Sequence, residues 1–177
     1  MRRKNEYDAS KLTQVATNKT VVSVYVDSFP IEKVKFRFVE FANSSNAVDI
    51  YLNFEDIFRI TQDIRSGRLF KDIQDSPYPI WLQEYGGGPS KDGTISRRLS
   101  VGMKNDRVFL NSQSGPGKVS STGSITPNGD PTSKVSVGMT INDFKKLFLY
   151  TEAGVNAYLP HLIDDLIAAA EEQRSKI

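Results

Sequence analysis

A chain of 177 residues, 38% hydrophobic and 25% charged, has the makeup of a globular protein that fits one domain, and no stretch nears the roughly 20 apolar residues of a membrane helix. Zero Cys excludes disulfides and thiolate chemistry, and a net charge of +2 gives no general pull toward nucleic acid, so any such argument rests on where the charge lies. The basic start Met1-Arg2-Arg3-Lys4 has no apolar run behind it, so no secretory signal and a cytoplasmic location are expected.

Residues 1–19 set Arg2, Arg3, Lys4, Lys11 and Lys19 against Glu6 and Asp8 with little apolar content, and read as a flexible basic arm. From Thr20 the texture alternates, with Val22, Val24 and Val26 on one side and Ser23, Tyr25 and Asp27 on the other, the period of a half-buried strand that Phe29-Pro30 ends. A second strand over 33–41 sends Val34, Phe36 and Phe38 to one face and Lys35, Arg37, Val39 and Phe41 to the other. Asn43-Ser44-Ser45-Asn46 supplies turn residues, and a third strand over 47–53 buries Val48, Ile50 and Leu52. Helical spacing at Ile57, Ile60 and Ile64 then predicts a helix over 54–65 that stops at Gly67.

Residues 68–79 read as a connector, since Pro77 and Pro79 bar regular structure before a strand over 80–85 that Gly86-Gly87-Gly88-Pro89 closes. Further strands are expected over 96–104 and 107–112, then a Gly/Ser-rich excursion over 114–133 with a short hairpin around 118–125, and a strand over 134–140. A helix over 142–152 comes next. The tail puts Leu159, Leu162, Ile163, Leu166, Ile167 and Ala170 on one stripe, predicting an amphipathic helix over 159–174 with Pro160 in its first turn.

Two junctions match without gaps: Val48-Asp49-Ile50-Tyr51-Leu52-Asn53-Phe54-Glu55-Asp56 lies on Val135-Ser136-Val137-Gly138-Met139-Thr140-Ile141-Asn142-Asp143. In each, an alternating strand meets a capping residue, Asn53 or Thr140, and an acid in the helix first turn. Each is preceded by at least two strands, so the order of strands then helix recurs. The expected fold is therefore α+β: one internally duplicated domain over 20–152, with halves about 20–67 and 78–152, and a C-terminal helix over 153–177 packing on that domain or on a partner subunit.

If the helices cover one face of each sheet, the other face carries Tyr25, Lys35, Arg37, Phe41 and Tyr51 in the first half. In the second half it carries Trp81, Tyr85, Arg98, Lys104 and Phe109, with Lys118 in the Gly/Ser-rich segment. Rings interleaved with cations suit an unpaired nucleic acid strand, because rings accept bases by stacking while Lys and Arg follow the phosphates. A competing reading assigns the same rings to a second core layer or a subunit interface, since strands are rich in aromatics anyway. Sequence leaves both open.

With strand runs each followed by a helix, Lys/Arg-aromatic strands and a Gly-rich hairpin leading into Lys134-Val135-Ser136-Val137-Gly138-Met139-Thr140-Ile141-Asn142-Asp143-Phe144, residues 20–150 resemble the whirly-like single-stranded-DNA-binding group, which includes plant Whirly proteins and the positive-cofactor-four coactivators. The likeness is one of topology and pattern. It implies a curved antiparallel sheet that binds unpaired DNA, usually as a homo-oligomer, here of bacterial, phage or mobile-element type. The chain departs from the group in lacking strongly basic hairpins and in adding the helix after Pro160.

Catalytic chemistry is not expected. His161, the single histidine, stands beside Pro160 as a surface or capping residue, and without Cys the usual transition-metal ligands are missing. Asp164-Asp165 and Glu171-Glu172 fall on the polar side of a helix, and Glu55-Asp56 suits a helix first turn. No cofactor is expected. The function expected is binding of single-stranded DNA with little sequence preference, in replication, repair, transcription or mobile-element transfer, with RNA an equal candidate chemically. The alternative is an assembly module without nucleic acid affinity.

Overall fold

The computed structural model describes residues 9–176. The first sheet is an antiparallel meander of β1 (Lys11–Ala16), β2 (Thr20–Tyr25), β3 (Lys33–Glu40) and β4 (Asn43–Asn53), in that order. Its pairing follows the hydrophobic alternation: Val22 faces Phe38 and Phe38 faces Val48, while Val24 faces Phe36 and Phe36 faces Ile50. All of these are fully buried or nearly so.

Helix α1 (Phe54–Arg65) comes directly after, its start marked by the Asn53 N–H donating to Asp56 Oδ2 at 3.2 Å. Gly67, at φ 74, turns the chain into α2 (Arg68–Asp75), which buries Leu69 and Ile73. The second sheet comprises β5 (Ile80–Ser90), β6 (Gly93–Lys104), β7 (Arg107–Val119), β8 (Ile125–Pro127) and β9 (Ser133–Met139). Strand β7 pairs with β6 on one side and with both β9 and the short β8 on the other. Helix α3 (Ile141–Ser175) closes the fold, capped by Thr140 Oγ1, which accepts from the Asp143 N–H at 3.1 Å.

The class is α+β: an antiparallel sheet followed by a helix, twice over, with both matched junctions serving as helix starts. The two halves share one hydrophobic cluster. Strand β9 crosses against β2, β3 and β4, and α3 sends Phe144, Leu147, Phe148, Thr151 and Val155 inward at helical spacing. Phe148 stacks on Phe36 with centroids 5.5 Å apart and meets Phe144 at 5.0 Å, which in turn meets Phe70 at 6.0 Å.

Of the expected arm over 1–19, residues 1–8 lie outside the described residues, whereas Lys11–Ala16 is a strand that packs Val15 on the core and sets Leu12 against Gly154 of α3. The expected connector over 68–79 contains α2, held by the Leu69/Ile73 pair at i, i+4. Residues 43–46 are strand, the turn falling at Phe41 and Ala42 instead. Strand β5 runs on through the three glycines and Pro89, because β6 comes so close that a Cβ on Gly87 (φ 141) would collide with the Ile95 carbonyl oxygen. Strand β7 likewise extends past 112 to Val119. The two expected C-terminal helices are one, with Pro160 inside it rather than in a first turn.

Helices α1 and α3 are tied by Glu152, which accepts from Thr61 Oγ1 at 2.8 Å and from Arg65 Nη1 at 2.9 Å, with Arg65 Nη2 closing the pair. Thr61 is fully buried and Glu152 nearly so. The Arg65 hydrogen bond holds the Glu152 carboxyl below the usual glutamate range, outweighing the opposing effect of burial, and the Thr61 bond adds to it. A depressed folded-state value contributes stability that is fully present above the unfolded value of about 4.3 and is lost as pH falls through the folded value. The thermal stability of the wild type is therefore expected to fall below about pH 4.5 with a component that Glu152→Gln removes. Parallel melting-temperature profiles for the two proteins between pH 3 and 7 would overturn that assignment.

Candidate nucleic-acid interface

The outward face of the first sheet aligns Lys11, Tyr25, Lys35 and Tyr51 in one row across four strands. Its left part is closed. Tyr25 and Lys35 retain only 7% and 6% exposure; the Lys35 ammonium lies 5.1 Å over the Tyr25 ring and 2.8 Å from Asp27 Oδ2. Next to them Arg37 pairs with Asp49 at 3.0 Å. Tyr25 and Lys35, expected on an open ligand face, are instead buried, Lys35 spending its charge on Asp27, and Arg37, partly exposed, is paired with Asp49. Phe41 is exposed in the β3–β4 turn, where its N–H donates to the Lys19 carbonyl at 2.8 Å.

The outward face of the second sheet is different. Trp81 of β5 is 37% exposed, and the Arg98 guanidinium of β6 lies 4.7 Å from its ring centre while donating to Gln113 Oε1 at 3.1 Å. Register continues this row from Gln113 to Lys134 of β9. The middle row is small and polar: Ser100, Asn111 and Ser136, with the Ser136 hydroxyl donating to Asn111 Oδ1 at 2.7 Å. Beyond it the Phe109 ring lies against Gly138, where any Cβ would approach to 2.8 Å, and Lys104 stands in register with Arg107. Arg107 donates to the Gly138 carbonyl at 3.0 Å. By register Trp81 heads the row of Ser100, Asn111 and Ser136, standing opposite the buried Ser100, with Arg98 and Lys134 in the row on one side and Phe109, Lys104 and Arg107 on the other.

So the structure gathers Trp81, Arg98, Lys104 and Phe109 on one face. Lys118 is exposed but stands apart on the β7–β8 hairpin. Arg107, Gln113 and Lys134 belong to the same face and were missed, although each is implied by the strand alternation once the pairing is fixed. Tyr85 does not lie beside Trp81: two register shifts in β5, between Trp81 and Gly86, turn it away. It is 58% exposed and lines a groove of about 630 Å³ between the halves, together with Lys33, Tyr51, Gln83 and Arg97. Arg97, which the sequence did not single out, covers one face of Tyr51 at 5.6 Å.

Among the described residues no cluster of three or more His, Cys, Asp or Glu side chains gathers that would hold a metal ion, and no helix is long and apolar enough to cross a membrane. No protein-family model matches the chain, and no curated protein is significantly similar to it.

Proposed function

We propose that this chain binds single-stranded nucleic acid, with the outward face of the second sheet as its main platform. The observation that carries the reading is Trp81, open to solvent on a polar sheet face with Arg98 against its ring and Lys134, Lys104, Arg107 and Phe109 on the same face. A base stacked on Trp81 or Phe109 exchanges water for a π-surface, while the cations on either side take phosphates. A duplex hides its base faces and gains nothing from the rings. The repeated order of antiparallel strands then helix supports a likeness to the whirly-like group, in a cytoplasmic protein of bacterial, phage or mobile-element origin. The reading assigns no catalytic role.

A second reading has one observation behind it: Ile163, Leu166 and Ile167 of α3 are each more than half exposed, as in a chain that assembles through this helix. The test separates the two. Anisotropy of a labelled unstructured oligonucleotide is expected to show binding that favours the single strand over duplex. If Arg98, Lys104, Arg107 and Lys134 each neutralise one phosphate, affinity should fall roughly 50-fold between 50 and 200 mM salt, at about 0.7 counterions released per contact. Absence of binding to any single strand at 50 mM salt would sink the proposal and move assembly to the front.

A further inference from the structure

We propose that the groove between the two halves is a pocket for one unstacked base of the bound strand, read through Gln83; this rests on the single-strand reading above. The groove's volume, about 630 Å³, lies in the range of small-ligand sites. Its walls come from opposite halves of the chain. Tyr51 of β4 stands on one side, one ring face covered by the Arg97 guanidinium at 5.6 Å, and Tyr85 of β5 stands open on the other, with Lys33 contributing a further cation. A ring from each half and a cation from each half are what one nucleotide asks of a pocket: a stacking surface and a counter-charge for its phosphate.

Gln83 sits where the halves join. Its Nε2 donates to the Tyr51 carbonyl at 2.8 Å, which fixes the amide orientation and uses its donor end. Its Oε1 is buried and has no hydrogen-bond partner, the one such side-chain atom among the described residues. A buried acceptor left unpaired is costly, and folded proteins leave few without a reason. Oε1 lies beneath the Gly86 backbone, and a base N–H in the groove completes it once the Gly86–Gly88 wall, free of side chains, gives way. Gly86 leaves room for this arrangement, because any Cβ there would collide with Oε1. The two glycines after it keep this wall free of side chains, so a sugar and phosphate meet backbone rather than bulk. An acceptor-only contact distinguishes bases by the position of their N–H groups, and so gives the chain a base preference at one position within an otherwise tolerant platform.

The experiment compares labelled dT12, dC12 and dA12 with the wild type, Gln83→Met and Tyr85→Ala, reading anisotropy for affinity and Trp81 fluorescence for occupancy of the sheet face. Trp81 is the single tryptophan, so its quenching reports that face alone. The wild type is expected to rank the three oligonucleotides over at least a ~5-fold range, the scale of one base contact. Gln83→Met should compress that range to within about twofold while Trp81 quenching persists. Tyr85→Ala should weaken the preferred oligonucleotide by ~5-fold or more. Because Tyr85 is largely exposed, that variant decides the matter even if Gln83→Met fails to fold. Wild-type affinity and ranking in the variants, with Trp81 still quenched, would overturn the pocket and leave the platform standing. No quenching and no binding for any oligonucleotide at low salt would remove both.

Discussion

Phe148→Ala is expected to lower the unfolding free energy by about 3–5 kcal/mol, measured by urea denaturation with the slope of the transition unchanged. Phe148 is fully buried, stacks on Phe36 of β3 at 5.5 Å and tilts against Phe144 one turn earlier at 5.0 Å. Truncation removes the transfer free energy of the ring, opens a cavity that a sheet and a helix cannot both relax to fill, and deletes two aromatic contacts worth about 0.5–1.5 kcal/mol each. Since domains of this size are stable by only about 5–15 kcal/mol, the loss is a large share of the total. Phe41→Ala is the control, because Phe41 is 53% exposed and no ring contact among the described residues holds it; its cost should stay within about 0.5 kcal/mol. A Phe148→Ala loss under about 1.5 kcal/mol would mean that α3 does not hold the core together as described.

Trp81→Ala should weaken single-strand binding by roughly 5- to 150-fold, the equivalent of about 1–3 kcal/mol for one stacked base. Trp81→Phe should recover most of that, since a smaller ring still stacks. The fold should tolerate both changes, because Trp81 lies on the sheet surface and its partner Arg98 keeps its bond to Gln113. Anisotropy of the labelled oligonucleotide provides the affinity and thermal melting provides the control. Unchanged affinity in Trp81→Ala, with an unchanged melting temperature, would take the platform away from this face. The salt dependence should persist in the variant, because stacking and counterion release are separate contributions.

Much of the fold was legible because hydrophobic periodicity and capping chemistry act locally. Val34, Phe36 and Phe38 announce a half-buried strand, and Ile57, Ile60 and Ile64 after Asn53 announce a helix; β3 and α1 obey those patterns. Strand β1 was hidden because its edge position asks for little apolar content: only Val15 packs on the core, while Leu12, 36% exposed, lies against Gly154. Helix α2 was hidden because eight residues between Gly67 and two prolines carry too few turns to show a period. Pro160 suggested a new helix start, but the preceding turns were already anchored by Val155 and its neighbours.

The site was less legible, and the reason is that charge pairing is long-range. Nothing local says that Lys35 will be used by Asp27 or Arg37 by Asp49, and placing the β3–β4 turn two residues late hides the cross-strand partner of Arg37 altogether. The register shifts in β5 exchange neighbours in the same way, sending Tyr85 to Tyr51 and Arg97 instead of to Trp81. Alternation along a strand assigns faces, but it takes the partner strands to say which faces stay open.

Helix α3 changes character at Pro160. Its last fully buried residue is Val155, and Tyr158 makes the final ring contacts with the core, at 5.5 Å to Phe29 and 6.4 Å to Phe54. Proline brings no N–H to the carbonyl four residues before it, so the hydrogen-bond ladder is interrupted just where packing runs out. The distal segment, residues 161–175, is about as short as a helix can be and still persist in water by itself. The two ends of one continuous helix therefore belong to different thermodynamic units: the first melts with the sheets in a single step, while the last exchanges with coil on a sub-microsecond scale and loses ellipticity gradually as temperature rises.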